Sequence, residues 1–470
     1  MKIKDIIQIC NAKLIAGDEN IICENFSKDT RTIETNDVYV GIKGENFDGN
    51  TLYEQAFEKG AKACILQGIE IDENVINKYN DRAIIMVDDT IKAIQKIASY
   101  KRDLYNIPVI AITGSVGKTS TKDIIASVVS TQYKTLKTQG NLNNHIGLPL
   151  TILGLKDHEA LVVEMGMNNL GEISVLSKIA KPNIAVITNV GTSHIGNLGS
   201  RENILKAKLE ILDGLKDNGV LIINNDNDML NGWYNKHQNN VRVVTYGVDN
   251  QSDFMASDII LEENGSKFKV NIAGNAEEIY VPVGGKHFVY NALSAIAVAK
   301  QIEIPDNKIK EGIENFELTK SRMELIKLEN DVTIINDCYN ANYDSMKAAI
   351  EYLSKTTANR KIAILGDMLE LGEFSNDLHQ KVGEEVAKHK IDILITVGEM
   401  GKVISNTAAS LGTEIYQFDN NEDAVKQAKE IIKQGDIILV KASNGMKFKN
   451  IVENLKWATG DASPLCRKGW

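Results

Sequence analysis

The sequence predicts an α/β protein of three domains: a central P-loop-type parallel sheet, flanked by an N-terminal α/β domain and a C-terminal Rossmann-like domain. Three observations predict it. The chain has 470 residues, and at roughly 150 residues per domain that length suits about three. Short apolar runs of the kind buried in parallel strands recur from residue 109 onward, with helical spacing between them. Three regions differ in texture, placing the expected boundaries at 1–107, 108–317 and 318–460.

In the first region, residues 37–43 alternate like a strand and Asp48-Gly49 marks a turn. Helical spacing covers 52–63 and 91–104, and Pro108 closes the region. The second region opens on the apolar run Val109-Ile-Ala-Ile-Thr113 and continues with strand-like runs at 160–163, 184–188 and 220–223. Alternation of strand and helix implies a parallel sheet covered on both faces. Residues 256–283 read as antiparallel strands, followed by a helix over 290–301. The third region repeats the alternation, with strands expected at 332–335, 361–365, 391–397 and 437–440.

Composition excludes several classes. The formal charge is −10 and the pI about 5.4, against a general nucleic-acid binder, which carries a basic stripe. Apolar residues are 43% and charged residues 25%, the mix of an ordinary globular enzyme. Cys10, Cys23, Cys64, Cys338 and Cys466 are scattered with no C-x-x-C pair. Neither zinc spacing nor a disulfide framework follows, and a reducing cytoplasm fits. No apolar run approaches the roughly 18 residues of a membrane span. Asp5 interrupts the N-terminal apolar stretch, which is too short for a signal peptide.

The sharpest motif is Gly114-Ser115-Val116-Gly117-Lys118-Thr119-Ser120, between a buried strand and a helix expected through 130. Glycines let the backbone N–H groups face an anion, and the helix N-terminus adds a positive field. Lys118 would neutralise β and γ phosphates, and the Thr119 hydroxyl would hold Mg²⁺. The spacing is two residues shorter than the common P-loop. The next strand ends at Glu164, a hard oxygen donor at the same sheet edge; the plain alternative is a solvated strand-end glutamate. The third strand runs into His194, again just past a tip.

Together, Thr113 to Ser120, Glu164-Met-Gly166 and His194 resemble the ATP site of the Mur ligases, the amide ligases of peptidoglycan synthesis. Gly140-Asn-Leu-Asn-Asn144, Asp337-Cys-Tyr-Asn-Ala-Asn342 and Gly366-Asp-Met-Leu-Glu-Leu-Gly372 are similar to segments of the member that adds D-alanyl-D-alanine. Asp29-Thr-Arg31, with Gly44 and Asp48-Gly49, resembles the nucleotide-sugar domain. The resemblance implies a cytoplasmic, monomeric ligase using ATP and Mg²⁺. Its substrates would be UDP-N-acetylmuramoyl-tripeptide and D-alanyl-D-alanine, joined through an acyl phosphate. The alternatives are a family member adding a single amino acid, and a non-catalytic nucleotide-binding regulator.

The resemblance also assigns residues. Lys118, Glu164, His194 and Lys208 would be catalytic, with Thr119, Glu164, His194 and Lys208 supporting metal. In relatives the lysine at the position of Lys208 carries a carbamate, and Lys206 is the rival here. Asn291, Arg322 and Asp337 would join the P-loop in holding ATP. Asp29, Thr30 and Arg31 would bind the UDP-sugar, although Arg31 could simply brace its loop through Asp29. Asn141, Asn143, Asn144, Asn340, Asn342 and Lys441 would contact substrate, and loop-building is the alternative for the asparagines. Asp367, Glu370 and His379 would shape the dipeptide pocket, with Met368 and Leu369 in the core. Three departures from the family pattern stand out: Phe288 and Asn444 replace an Asn and an Arg, and Asn50 stands where His is common.

Overall fold

The computed structural model describes residues 1–236, 241–262, 264–272, 274–328, 331–410 and 412–456. Residues 457–470, including the uninterpreted tail and Cys466, lie outside them. Three sheets organise the chain.

The first sheet has the order Lys13–Ala16, Ala83–Met86, Ala63–Leu66, Val38–Val40, Phe26–Ser27. Its first pair is antiparallel and the rest parallel. The helix Thr90–Asp103 is capped by Asp89, whose side chain accepts from the Lys92 N–H. It packs on the helices Gly147–Leu153 and Glu172–Ala180 of the middle region. Arg102, fully buried, fixes that join by donating Nε to the Ala180 carbonyl at 2.8 Å.

The central sheet has nine strands. Six are parallel, from Thr135–Lys137 at one edge through Ala160–Glu164, Val109–Thr113, Ile184–Ile187 and Val220–Asn224 to Arg242–Gly247. The four inner strands, from Ala160–Glu164 to Val220–Asn224, are buried along their whole length, which explains their apolar runs. Phe254–Glu262 continues the sheet in parallel, then Gly265–Ile272 and Asn275–Val281 pair antiparallel. The antiparallel stretch expected near 256–283 is therefore an extension of the same sheet. The third sheet is parallel except at Glu324–Lys327, which pairs antiparallel with Thr333–Asn336. Asp436–Lys441 inserts between Thr333–Asn336 and Arg360–Gly366, so the chain crosses over beside it and leaves a crevice at the strand ends.

Several expectations need correction. The helix expected over 52–63 is only Tyr53–Glu58, and Ala63 already belongs to a strand. Gly60, with φ +112°, breaks it. The strand expected over 37–43 shortens to Val38–Val40. The helix expected from 290 begins at Lys286, directly after Gly285. Leu369, expected in the core, is 44% exposed and lines a cavity.

Candidate active site

Three adjacent parallel strands, Ile184–Ile187, Val109–Thr113 and Ala160–Glu164, end at one edge of the central sheet. The middle one turns at Gly114 and enters the helix Lys118–Ser130. A Cβ at Gly114 would lie 1.9 Å from Thr188 Oγ1, so only glycine lets the loop pass that close. Ser115 N–H donates to the Asn189 carbonyl at 3.0 Å and Val116 N–H to its Oδ1 at 2.9 Å. These bonds fix the loop. The first N–H groups of the helix are left without intrahelical partners, the arrangement that binds anions.

Glu164 is buried, 2% exposed. Its Oε2 accepts from Thr119 Oγ1 at 2.8 Å and its Oε1 from Asn143 Nδ2 at 2.7 Å. Hydroxyl and carboxylate form a hard oxygen pair of the kind Mg²⁺ takes together with phosphate and water. Among the described residues no group of three His, Cys, Asp or Glu could hold a metal alone. The pair therefore fits Mg²⁺ only when a ligand brings oxygens of its own. His194 adopts a left-handed backbone, φ +62°, at the head of the Ile195–Leu198 helix. Its Nδ1 lies 2.9 Å from Glu370 Oε2 of the third region, and that carboxylate sits below its usual range because of this contact. The contact is one of ion-pair distance, and Nδ1 makes no hydrogen bond of good geometry in it.

From the third region, the Arg322 guanidinium stacks 4.0 Å from the Tyr339 ring centroid, and its Nε is buried with no hydrogen-bond partner. Arg322 stands between Ser321 and Met323, both at positive φ. Ser321 N–H donates to Glu324 Oε2 at 2.9 Å and Met323 N–H to Asp337 Oδ1 at 3.1 Å, which holds the turn. Lys441, 2% exposed, pairs with Asp337 Oδ2 at 2.5 Å.

A cavity of about 520 Å³ joins these pieces. Among its lining are Ser115, Val116, Gly117, Lys118, Thr119, Ser120, Asn141, Asn143, Asn144, Glu164 and His194 from the central region. Asn291, Arg322, Asp337, Asn340, Asn342 and Lys441 join them; Gly114, also expected at the site, is not among the lining residues. The asparagines also build loops. Asn144 Oδ1 accepts from the Ile146 and Gly147 N–H groups, and Asn342 Oδ1 from the Ser345 N–H. Asn291 Oδ1 accepts from Thr121 Oγ1 at 3.0 Å.

The electrostatics are those of an anion site. Burial lowers the pKa of Lys118; Glu164 opposes the shift and Arg322 adds to it. Lys118 Nζ meanwhile donates to the Gly114 carbonyl at 2.8 Å. Lys208, 1% exposed, is not among the lining residues. Burial holds its amine well below the ordinary lysine range, and the nearby Lys118 charge pushes the same way. Lys206, its rival, is exposed.

Asp29, Thr30 and Arg31 do not join this cavity. Arg31 Nη2 lies 2.6 Å from Asp29 Oδ2, and its side chain is 87% exposed. Thr30 Oγ1 donates to Gln55 Oε1 at 2.8 Å. Asn50 is fully buried, donating to Asp48 Oδ1 and accepting from the Gln67 N–H. His379 is also buried; its Nε2 accepts from the Met368 N–H at 2.8 Å and so holds the loop. Reasoning from sequence missed Asn224 and Tyr246, which line the cavity from the ends of two further central strands. The rule that ligands sit at the carboxyl ends of such strands would have found them.

Comparison with known proteins agrees with this geometry. Residues 112–299 match the Mur ligase middle domain and residues 321–444 the Mur ligase, glutamate ligase domain. The UDP-N-acetylmuramoyl-tripeptide–D-alanyl-D-alanine ligase of Bacillus subtilis is 40% identical, over 93% of this chain and 94% of that protein. Its Escherichia coli counterpart is 32% identical, over 97% and 98%. The crystal structure of MurF from Acinetobacter baumannii superposes with a TM-score of 0.87 at 28% identity, covering 97% of this chain and 98% of that one. MurF ligase from Thermotoga maritima in complex with ADP gives 0.80 at 25% identity, covering 94% and 99%. With two family domains matched in order on a shared three-sheet fold, the chain belongs to the Mur ligase family.

Proposed function

We propose that this protein is an ATP-dependent amide ligase that joins D-alanyl-D-alanine to UDP-N-acetylmuramoyl-tripeptide, giving the pentapeptide, ADP and phosphate. One observation carries the reading. Lys118, at the N-terminus of the Lys118–Ser130 helix, and Arg322 from the third region line one cavity, with the Glu164 carboxylate beside the phosphate loop. Such a corner is built for a polyanion.

The tripeptide carboxylate attacks the γ-phosphorus of ATP, and ADP leaves. This first step brings two anions together. Lys118 and Arg322 screen their repulsion, and the loop N–H groups hold the phosphates in line. The acyl phosphate then accepts the D-alanyl-D-alanine amine at its carbonyl, and phosphate departs as the amide forms. Thr119 and Glu164 would hold Mg²⁺, which supplies charge neutralisation at the phosphates. His194, at ion-pair distance from Glu370, faces the same space. Burial holds the Lys208 amine well below the ordinary lysine range, which favours the neutral state that adds to CO₂, in keeping with the carbamate of relatives. Asp29, Thr30 and Arg31 bind the UDP-sugar on the first region. None of the described helices is long and apolar enough to cross a membrane, and the enzyme acts in the cytoplasm where its nucleotide substrates are made.

The test offers ATP, Mg²⁺ and UDP-muramoyl-tripeptide with either D-alanyl-D-alanine or single amino acids, and follows phosphate release. Release only with the dipeptide is expected. Release with a single amino acid on a UDP-muramoyl-dipeptide acceptor, and none here, overturns the reading.

A further inference from the structure

The loop between the strand Ile184–Ile187 and the helix Ile195–Leu198 is wedged between two partners. On one side it holds the phosphate loop. Gly191 N–H donates to Ser115 Oγ at 2.9 Å, and Ser193 Oγ to the Ser115 carbonyl at 3.0 Å. On the other side it meets the first turn of the helix Tyr343–Lys355, in the third region. Asp344 Oδ2 accepts from Thr192 N–H at 2.9 Å and Thr192 Oγ1 at 3.1 Å, and Asn342 Nδ2 donates to Ser193 Oγ. The contact leaves no spare room. A Cβ at Gly191 would lie 2.2 Å from Asp344 Oδ2, and one at Gly196 would lie 2.6 Å from the Gly372 nitrogen.

We propose that Asp344 is the positioning residue that seats the third domain over the phosphate loop, and that this seat requires glycine at position 191. The Asp344 carboxylate is two hydrogen-bonded residues from Ser115 of the loop. Thr192 receives it, and the neighbouring Gly191 and Ser193 pass the position on. A γ-phosphate held by the loop and a docked third domain therefore share one rigid segment. When that segment is in place, Arg322, Asp337 and Lys441 face the nucleotide; when Asp344 is displaced, they draw back together. A charged acceptor holding two donors is the strong form of such a contact.

This inference rests on the ligase reading for its kinetic arm only. In the steady-state assay, Asp344→Ser and Gly191→Ala are each expected to lower kcat about tenfold, the equivalent of one charge-assisted hydrogen bond. The KM for ATP should rise as well, because Arg322 and Asp337 draw back from the nucleotide together, while the KM for UDP-tripeptide, bound on the first region, should stay within about twofold. The double variant should be no worse than either single one, since both act on one contact. Small-angle scattering of the free proteins, with no ligand added, should give both single variants a larger radius than wild type. Additive losses in the double variant, or a Gly191→Ala enzyme with wild-type kcat and radius, overturn the proposal. Should Gly191→Ala fail to fold, Thr192→Val replaces it in the same cycle, with the same reading of additivity. An inactive wild type would instead defeat the ligase reading, and the scattering arm would still decide the seat.

Discussion

The phosphate-loop corner and the Asp29–Arg31 corner are both candidate anion sites, and they are built in opposite ways. At the first, charge is drawn out of water and only partly countered: burial holds Lys118 below its ordinary range against the pull of Glu164, and Arg322 keeps an unpartnered Nε. At the second, charge is exposed and already satisfied, since the guanidinium holds the Asp29 carboxylate down to about 2. Desolvated cations exert strong fields on whatever enters, whereas an exposed pair is screened by water and salt. The chemistry belongs where the field is strong. The exposed corner suits recognition, where a diphosphate can be gripped and released without a large change in solvation.

Three experiments press on this contrast. The largest effect belongs to Lys118→Ala, which should lower kcat by about a thousandfold or more by removing a preorganised charge at the phosphates. Binding of UDP-tripeptide, measured by calorimetry, should survive. Loss of both together would erase the distinction between the two corners. Arg31→Ala should act the other way round, raising the KM for UDP-tripeptide about tenfold with kcat held. Its thermal midpoint should not move, because the Asp29 pair is exposed. A fall in kcat equal to that in kcat/KM would place Arg31 in the chemistry instead.

The smallest effect is a pH dependence of stability. Burial pushes the His287 ring down to about 4, and the Lys441 ammonium adds to the shift while Asp337 and Glu351 offset part of it. Between about pH 4 and pH 6.5 the unfolded chain therefore binds a proton here that the folded chain does not. Stability contributed at this ring rises with pH across that window and is lost on acidification. Urea unfolding of wild type and His287→Gln should show a steeper pH slope for wild type; equal slopes would mean the ring is solvated.

The strands around the phosphate loop were legible because both their faces are buried, which writes an unbroken apolar run into the sequence. The Lys118–Ser130 helix was legible for a related reason: glycine precedes it and a lysine opens it. Legibility failed where tertiary contacts decide. Leu369 is apolar but sits at the cavity mouth, which no local pattern reveals. Residues 59–63 keep helical spacing, yet Gly60 ends the helix and the chain is drawn into the first sheet. At the site, the motifs brought most candidate residues to one cavity. Asp344 was invisible, since its meaning lies in Thr192, which is 152 positions away. Lys208 is singled out by its place in the family pattern, and its burial beside an exposed Lys206 could not be read from spacing.

The left-handed backbone at Ser321 and Met323 has a consequence for engineering. Each non-glycine residue held there forfeits roughly 1 kcal/mol or more of folding free energy. Replacing either with glycine should relax the backbone, but it would also loosen the arm that carries the guanidinium. A search for heat-tolerant variants would be drawn to these two positions, and the winners should be hardier proteins with slower turnover.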